Sequence, residues 1–162
     1  MTSSPLFLVP ILAGLIAQAL KPLFNKTWYH HLSKAGKHIP RYGGMPSAHT
    51  AFATSLATVV ALVDGLYTTS FMIALSLVIF VLDDALRMRI FLSRHGLALR
   101  KLVDRLPAED QKRYPYLETR LGHKGREVLV GAILGVVVTV GIWLLYNGVI
   151  KDYLTSFFEP VH

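Results

Sequence analysis

The sequence contains no cysteine, and this absence excludes disulfide frameworks, thiolate nucleophiles and cysteine-based metal sites. Charged residues are also scarce and make up only 17% of the chain. Acidic residues are the rarer kind, with 10 Asp and Glu against 17 Lys and Arg. Since 52% of the residues are hydrophobic, the composition excludes an intrinsically disordered chain. One compact unit is expected from the 162 residues.

Charge is almost absent from three long stretches, and a helix needs ~20 mainly apolar residues to cross a bilayer. Residues 5–24 and 46–66 each contain one charged residue, and residues 128–150 contain none. A fourth apolar stretch, residues 67–82, is shorter and has to extend into the following turn, tilt in a bundle or thin the bilayer. A soluble protein is disfavoured, because residues 128–150 would need a larger core than 162 residues provide. The sequence therefore predicts a single all-α membrane domain with spans at about residues 5–24, 46–66, 67–84 and 126–150.

Basic residues indicate the orientation of these spans. Sixteen of the 17 Lys and Arg residues lie at the end of the first span, after it, or between the third span and the start of the fourth. By the positive-inside rule, segments 25–45 and 85–125 are expected to be cytoplasmic, with both termini on the opposite side of a cell membrane. No basic residue precedes Lys21, so the first stretch is predicted to be a span and not a cleaved signal peptide.

Apolar and basic residues alternate from Asp84 to Leu106, and Pro107 follows. This pattern favours a basic amphipathic helix at the cytoplasmic interface. The net charge of +7 is explained by cytoplasmic loops and anionic lipid headgroups, and a nucleic-acid partner is not expected.

Residues suited to chemistry lie at span ends that share one side of the membrane. Ionisable residues beside apolar spans are costly, so their grouping suggests a site, although chance alignment is the alternative. The groups are Lys21 after span one, Gly43 to His49 before span two, Asp84, Arg87 and Arg89 after span three, and His123, Arg126 and Glu127 before span four.

The glycine-rich group has the properties of a phosphate-binding helix start. Gly43 and Gly44 permit close backbone approach, and the helix N-terminus after Pro46 offers N–H groups to an anion. Ser47 adds a hydroxyl and His49 a proton donor near neutral pH. An ordinary turn followed by a helix start is the alternative interpretation.

His123 and Glu127 are four residues apart, which places them on one helical face. Glu127 would accept the Nδ1 proton and leave Nε2 as a nucleophile, whereas the simpler interpretation is a surface contact. Asp84 with Arg87 or Arg89 could likewise be only an ion pair, and Lys21 could only snorkel. Taken jointly, these groups supply the charge neutralisation, nucleophile and proton donor that phosphoryl transfer needs.

Four segments occur in order between residues 18 and 135. They are Gln18-x-x-Lys21, Gly43-Gly44-Met45-Pro46-Ser47-Ala48-His49-Thr50-Ala51, Asp84-Ala85 with Arg89, and Leu121-Gly122-His123-Lys124-x-x-Glu127-Val128-x-x-Gly131. This set resembles the divergent branch of the type-2 phosphatidic acid phosphatase superfamily, which also includes the vanadium-dependent haloperoxidases.

The resemblance implies a phosphatase that works without a metal or another cofactor. It implies that His123 is the nucleophile that forms a phosphohistidine, that Glu127 orients it, and that His49 protonates the leaving alkoxide. It also implies that Lys21 and Arg89 bind phosphate. The proposed phosphate-binding set is completed by Gly43, Gly44, Ser47, Asp84 and Arg126.

The sequence departs from the superfamily pattern at three places. Trp28 stands where an Arg-Pro pair is expected, and Tyr116 and Leu117 stand where a Ser-Arg pair is expected. The Asp84 segment reads Asp-Ala-Leu-Arg-Met-Arg-Ile instead of Asp-Ala-x-Gly-Val-Arg-Arg. The first two departures remove arginines expected to bind phosphate, and the third moves one of a pair of arginines to position 87.

The expected function is hydrolysis of a lipid phosphate monoester or polyprenyl phosphate at the cytoplasmic face. A non-catalytic lipid-phosphate-binding protein and a small transporter are the alternatives. The two histidines favour the enzyme, and a transporter should carry charges near span midpoints. Expected partners are membrane lipids and an anionic lipid-phosphate substrate. Gly131-x-x-x-Gly135 packs helices either within the chain or between two copies of it, so a homodimer is one of two alternatives.

Overall fold

The computed structural model describes residues 5–24, 44–114 and 125–150. Within these ranges the chain is helical and contains no strand, so the predicted all-α class is confirmed. The elements are a 3₁₀ turn Pro5–Leu8, α1 Val9–Phe24, α2 Ala48–Val63, α3 Thr69–Asp83, a π-helical turn Asp84–Met88, α4 Arg89–Val103, α5 Ala108–Gln111, α6 Gly125–Leu145 and a π-helical turn Tyr146–Ile150.

In the part of the chain that the structure describes, three helical segments are long and apolar enough to cross a membrane. They are Leu6–Phe24, Thr69–Val103 and Gly125–Gly148. α2 is apolar but has only 16 residues, and at 1.5 Å per residue it extends about 24 Å, less than the ~30 Å hydrocarbon core. Because α2 packs against α1, α3 and α6, much of its surface is covered by protein instead of lipid.

Small side chains form the centre of this bundle. Ala13 and Ala17 of α1 and Ala51 and Ala53 of α2 are buried, with at most 1% exposure. Lipid tails are as apolar as leucine, so membrane helices associate through close packing of small residues. The centre of the bundle therefore depends on short distances between backbones, whereas larger side chains pack around Leu6, Val9 and Val59 in a second cluster.

Gly131 and Gly135 face α2 of the same chain. A Cβ atom added at Gly131 would lie 2.5 Å from the Ser47 carbonyl oxygen, and one at Gly135 would meet the Ala51 carbonyl oxygen. Of the two packing roles considered for Gly131-x-x-x-Gly135, the structure shows the one within the chain. We call this contact between α2 and α6, at Gly131 and Gly135, the seam. It brings the start of α6 against the start of α2.

Buried hydroxyl groups connect α2 and α6 further along the seam. The Oγ of Ser55 and the Oγ1 of Thr139 are 2.7 Å apart, and both residues are buried. Thr139 donates its proton to the Gly135 carbonyl oxygen at 2.8 Å, so Ser55 is the donor between the two hydroxyls.

We expect Ser55→Ala and Thr139→Val to destabilise the bundle non-additively, because they share one hydrogen bond. The coupling should be about 0.6 kcal/mol, the average of such bonds in membrane proteins, and at most about 1.7 kcal/mol. A double-mutant cycle of reversible unfolding in mixed micelles measures it. Ser76→Ala is the control, because Ser76 is exposed and, among the described residues, its hydroxyl bonds to the Met72 carbonyl of its own helix alone. Full additivity would contradict the assigned bond.

The amphipathic helix predicted at residues 84–106 is present, but it continues α3 instead of starting anew. Thr69–Val103 forms one helix of 35 residues, about 52 Å long at 1.5 Å per residue. The π-helical turn Asp84–Met88 lies at the junction, and α4 contains no buried residue. After Pro107 the chain forms the short helix α5.

Candidate functional site

Four elements meet at one end of the bundle. The Ser47 N–H donates to the Glu127 carbonyl oxygen at 3.0 Å, which joins the start of α2 to the start of α6. Lys21, near the end of α1, interacts electrostatically with Arg89 and Glu127, and His49 interacts with Arg89, Lys21 and Asp84. The structure therefore brings together five predicted site residues: Lys21, His49, Asp84, Arg89 and Glu127.

The segment before α2 is shaped by glycine and capping. Gly44 has a φ of 91°, a backbone conformation that residues other than glycine rarely adopt. Ser47 is fully buried, and its Oγ accepts hydrogen bonds from the N–H of Thr50 at 3.4 Å and the Oγ1 of Thr50 at 2.9 Å. The Ser47 hydroxyl thus acts as the N-cap of α2 in this structure. A turn followed by a helix start is common to both interpretations of the sequence, and Ser47 helps to build it.

His49 lies in the first turn of α2 with an exposed side chain. It precedes Ala53 and Ala57 by four and eight residues, and these two alanines pack against α3. Residues at this spacing share one helical face, so His49 faces the end of α3, where Asp84 and Arg89 follow. The exposed imidazole is accessible to a ligand at this end of the bundle.

Lys21 is buried, with 7% exposure, in the last turn of α1. Its snorkelling to water, the simpler interpretation of the sequence, is inconsistent with this burial. A buried ammonium group is costly without an opposite charge, and Glu127 supplies one nearby. Lys21 is therefore a positive group held inside the site.

Asp84 and Arg89 form an ion pair across the π-helical turn. The Arg89 Nε donates to the Asp84 Oδ2 at 2.7 Å. Arg87 instead pairs with Asp83 at 3.2 Å, four residues earlier. Of the two arginines considered as partners of Asp84, the structure selects Arg89, which is also the one that interacts with Lys21 and His49.

The remaining predicted residues are less closely connected. Glu127 is half-buried in the first turn of α6, whereas Arg126 is exposed. Among the described residues, no hydrogen bond or ion pair joins Arg126 to the other site residues. Gly43 and His123 lie outside the described ranges, so the proposed pairing of His123 with Glu127 stays a prediction.

Sequence reasoning did not identify two contributions to this site. Gly131 was predicted to pack helices, but its role in letting α6 approach Ser47 was not foreseen. The π-helical turn Asp84–Met88 has no comparable sequence signal. In the ranges 5–24, 44–114 and 125–150, no three His, Asp or Glu side chains lie together as metal ligands would.

Comparison with known proteins identifies a family and a relative of this chain. A family model described as "Divergent PAP2 family" matches residues 2–138, a range that includes every predicted site residue. The "Uncharacterized membrane protein YuiD" of Bacillus subtilis (strain 168) is 30% identical over 109 residues, which cover 60% of this chain and 69% of that relative. No solved structure matches the chain.

Proposed function

The chain belongs to the divergent PAP2 family, and from this premise we propose that it is a metal-independent phosphatase that hydrolyses a lipid phosphate monoester or polyprenyl phosphate. The family match confirms the resemblance found in the motifs, and the protein is an integral membrane protein. The observation that carries the proposal is the joint placement of Lys21, His49, Arg89 and Glu127 beside the N-terminus of α2.

Phosphate binding in this proposal depends on two kinds of positive group. Lys21 and Arg89 neutralise the phosphoryl oxygens, with Arg126 at the edge of the site. The backbone N–H groups at Gly43, Gly44 and the start of α2 complete the phosphate contacts, aided by the positive end of the helix dipole. Ser47 contributes by capping that helix.

The chemical step proceeds in two displacements. The Nε2 of His123 attacks phosphorus, forming a P–N bond while the P–O bond to the lipid breaks. The His49 imidazolium gives its proton to the leaving alkoxide. A water molecule, deprotonated by His49, then attacks the phosphohistidine and releases inorganic phosphate and free His123. Glu127 holds the Nδ1 proton of His123 throughout.

Phosphate release tests this proposal. The purified protein in lipid nanodiscs, with EDTA present, is given phosphatidate, glycerophosphate lipids and polyprenyl phosphates in turn. We expect release from at least one substrate, blocked by orthovanadate. Binding of these lipids without release from any of them would contradict the enzyme and favour a non-catalytic lipid-phosphate-binding protein.

His49→Ala should slow alkyl phosphates far more than aryl phosphates. An alkoxide needs a proton as it leaves, and losing a general acid costs about 10²- to 10⁴-fold, whereas an aryl oxide is already stable. Comparing kcat/KM for a lipid phosphate and p-nitrophenyl phosphate measures the difference. His95→Ala, in the exposed part of α4, is the control and should change neither rate. Equal losses for both substrates would assign His49 to binding instead.

The site is proposed to lie at the cytoplasmic face, and the absence of native cysteine makes this simple to test. Tyr67 is exposed between α2 and α3, and Glu109 is exposed in α5. In intact cells, we expect a membrane-impermeant maleimide to label Tyr67→Cys, and to label Glu109→Cys only after permeabilisation. The reverse pattern would place the site on the outer face.

A further inference from the structure

Asp84 carries a charge that repels phosphate, although it belongs to the predicted phosphate-binding set. In the structure its Oδ2 accepts a hydrogen bond from the Arg89 Nε at 2.7 Å. We propose that Asp84 is a positioning residue, which acts on phosphate only by holding the Arg89 guanidinium beside Lys21 and His49. This inference rests on the proposed function and names how one phosphate ligand of that site is oriented.

The π-helical turn is what makes the pair possible. Asp84 and Arg89 are five residues apart, and in an α-helix residues at that spacing point about 140° away from each other. The π-helical turn Asp84–Met88 contains more residues per turn, so Arg89, five positions after Asp84, returns close to it. A local change of helix type therefore brings the Asp84 carboxylate within hydrogen-bond distance of the Arg89 guanidinium at the end of α3.

The neighbouring pair shows that this arrangement differs from ordinary surface pairing. Arg87 and Asp83 pair at 3.2 Å with the usual spacing of four residues, and their side chains are 73% and 47% exposed. The side chains of Arg89 and Asp84 are only 23% and 38% exposed. Arg89 is also the arginine that interacts electrostatically with Lys21 and His49.

Asp84 contacts the Arg89 guanidinium through its Nε nitrogen. The bond uses Nε, and among the described residues Nη1 and Nη2 of Arg89 have no hydrogen-bond partner. Two parallel N–H groups of arginine match two oxygens of a phosphate. Anchoring one end of the planar group fixes its orientation, so less side-chain freedom is lost when phosphate binds.

A double-mutant cycle with inorganic phosphate as the probe tests the inference. Titration calorimetry of the full-length protein in neutral-lipid nanodiscs gives the phosphate affinity of the wild type, Asp84→Ala, Arg89→Ala and the double variant. We expect Asp84→Ala to weaken binding about 10- to 100-fold, the range of a lost charge-assisted hydrogen bond. Asp84→Ala should have almost no further effect when Arg89 is already alanine.

Two further variants distinguish a loss of phosphate affinity from a loss of folding or of surface charge. Asp84→Asn keeps the size and one acceptor oxygen, and we expect a smaller loss of affinity with an unchanged melting temperature. Asp83→Ala removes the matched surface carboxylate and should leave phosphate affinity unchanged.

The sign of the change separates the outcomes. If Asp84 only adds repulsive charge, Asp84→Ala will bind phosphate more tightly, and this would overturn the inference. An equal loss with and without Arg89 would overturn it as well. In both cases wild-type binding and hydrolysis would still support the proposed function, whereas a wild type that neither binds nor releases phosphate would refute both.

Discussion

Gly131→Ala should destabilise the protein and abolish phosphate release, although it adds a single methyl group. The new Cβ would lie 2.5 Å from the carbonyl oxygen of Ser47 and 3.1 Å from its nitrogen. Both are backbone atoms of the start of α2, so no flexible side chain can move aside. Overpacking of this kind costs about 1–3 kcal/mol, and here it also separates α6 from the phosphate-binding helix start.

Gly141→Ala is the matched control for this prediction. Gly141 lies in the same helix, and a Cβ at that position would have no atom within 4 Å. It should therefore leave activity unchanged and stabilise the helix by up to about 1 kcal/mol, because alanine is the better helix former. Unfolding in mixed micelles and phosphate release are measured on both variants. Equal behaviour of the two would contradict the packing of Gly131 on Ser47.

His123→Ala should eliminate turnover while the protein stays folded. In the proposed mechanism this side chain forms the P–N bond, and losing an enzyme nucleophile lowers kcat on the order of 10⁶-fold. Its partner Glu127 lies in the site with Lys21, whose charge it balances. A ³²P-labelled substrate should leave an acid-labile, alkali-stable label on the wild type and none on His123→Ala.

His95→Ala again serves as the control, since His95 is exposed on α4. It should retain both turnover and the covalent label. Retained turnover in His123→Ala would refute the assignment of the nucleophile. Lost turnover with a retained label would place the covalent phosphate on another residue.

The helices could be predicted because apolar length alone determines where a chain crosses a bilayer. The apolar stretches 5–24 and 128–150 correspond closely to α1 with its 3₁₀ turn and to α6. The continuity of α3 and α4 could not be predicted in this way. Composition changes from apolar to basic at Asp84, but a helical backbone satisfies its own hydrogen bonds in both environments and need not end there.

The candidate site was partly predictable for a similar reason. Lys21, His49, Arg89 and Glu127 lie next to span ends, and spans that alternate in direction bring those ends to one side. The pairing of Asp84 with Arg89 was left open, because a spacing of five residues fits no regular α-helical contact and π-helical turns have no clear sequence signal. The N-capping role of Ser47 depends on the contacts of one hydroxyl, which residue spacing does not determine.

The small-residue core also limits how this protein can evolve. Most amino-acid replacements at alanine or glycine add atoms, so positions such as Ala51, Ala53 and Gly131 can accept few neutral substitutions. On α3, by contrast, the large apolar residues Met72, Ile73 and Phe80 are exposed, and exchange among apolar types there changes little packing. Sequence divergence among relatives should therefore accumulate mainly on the outer surface of α3, while the inner faces of α2 and α6 remain almost constant in volume.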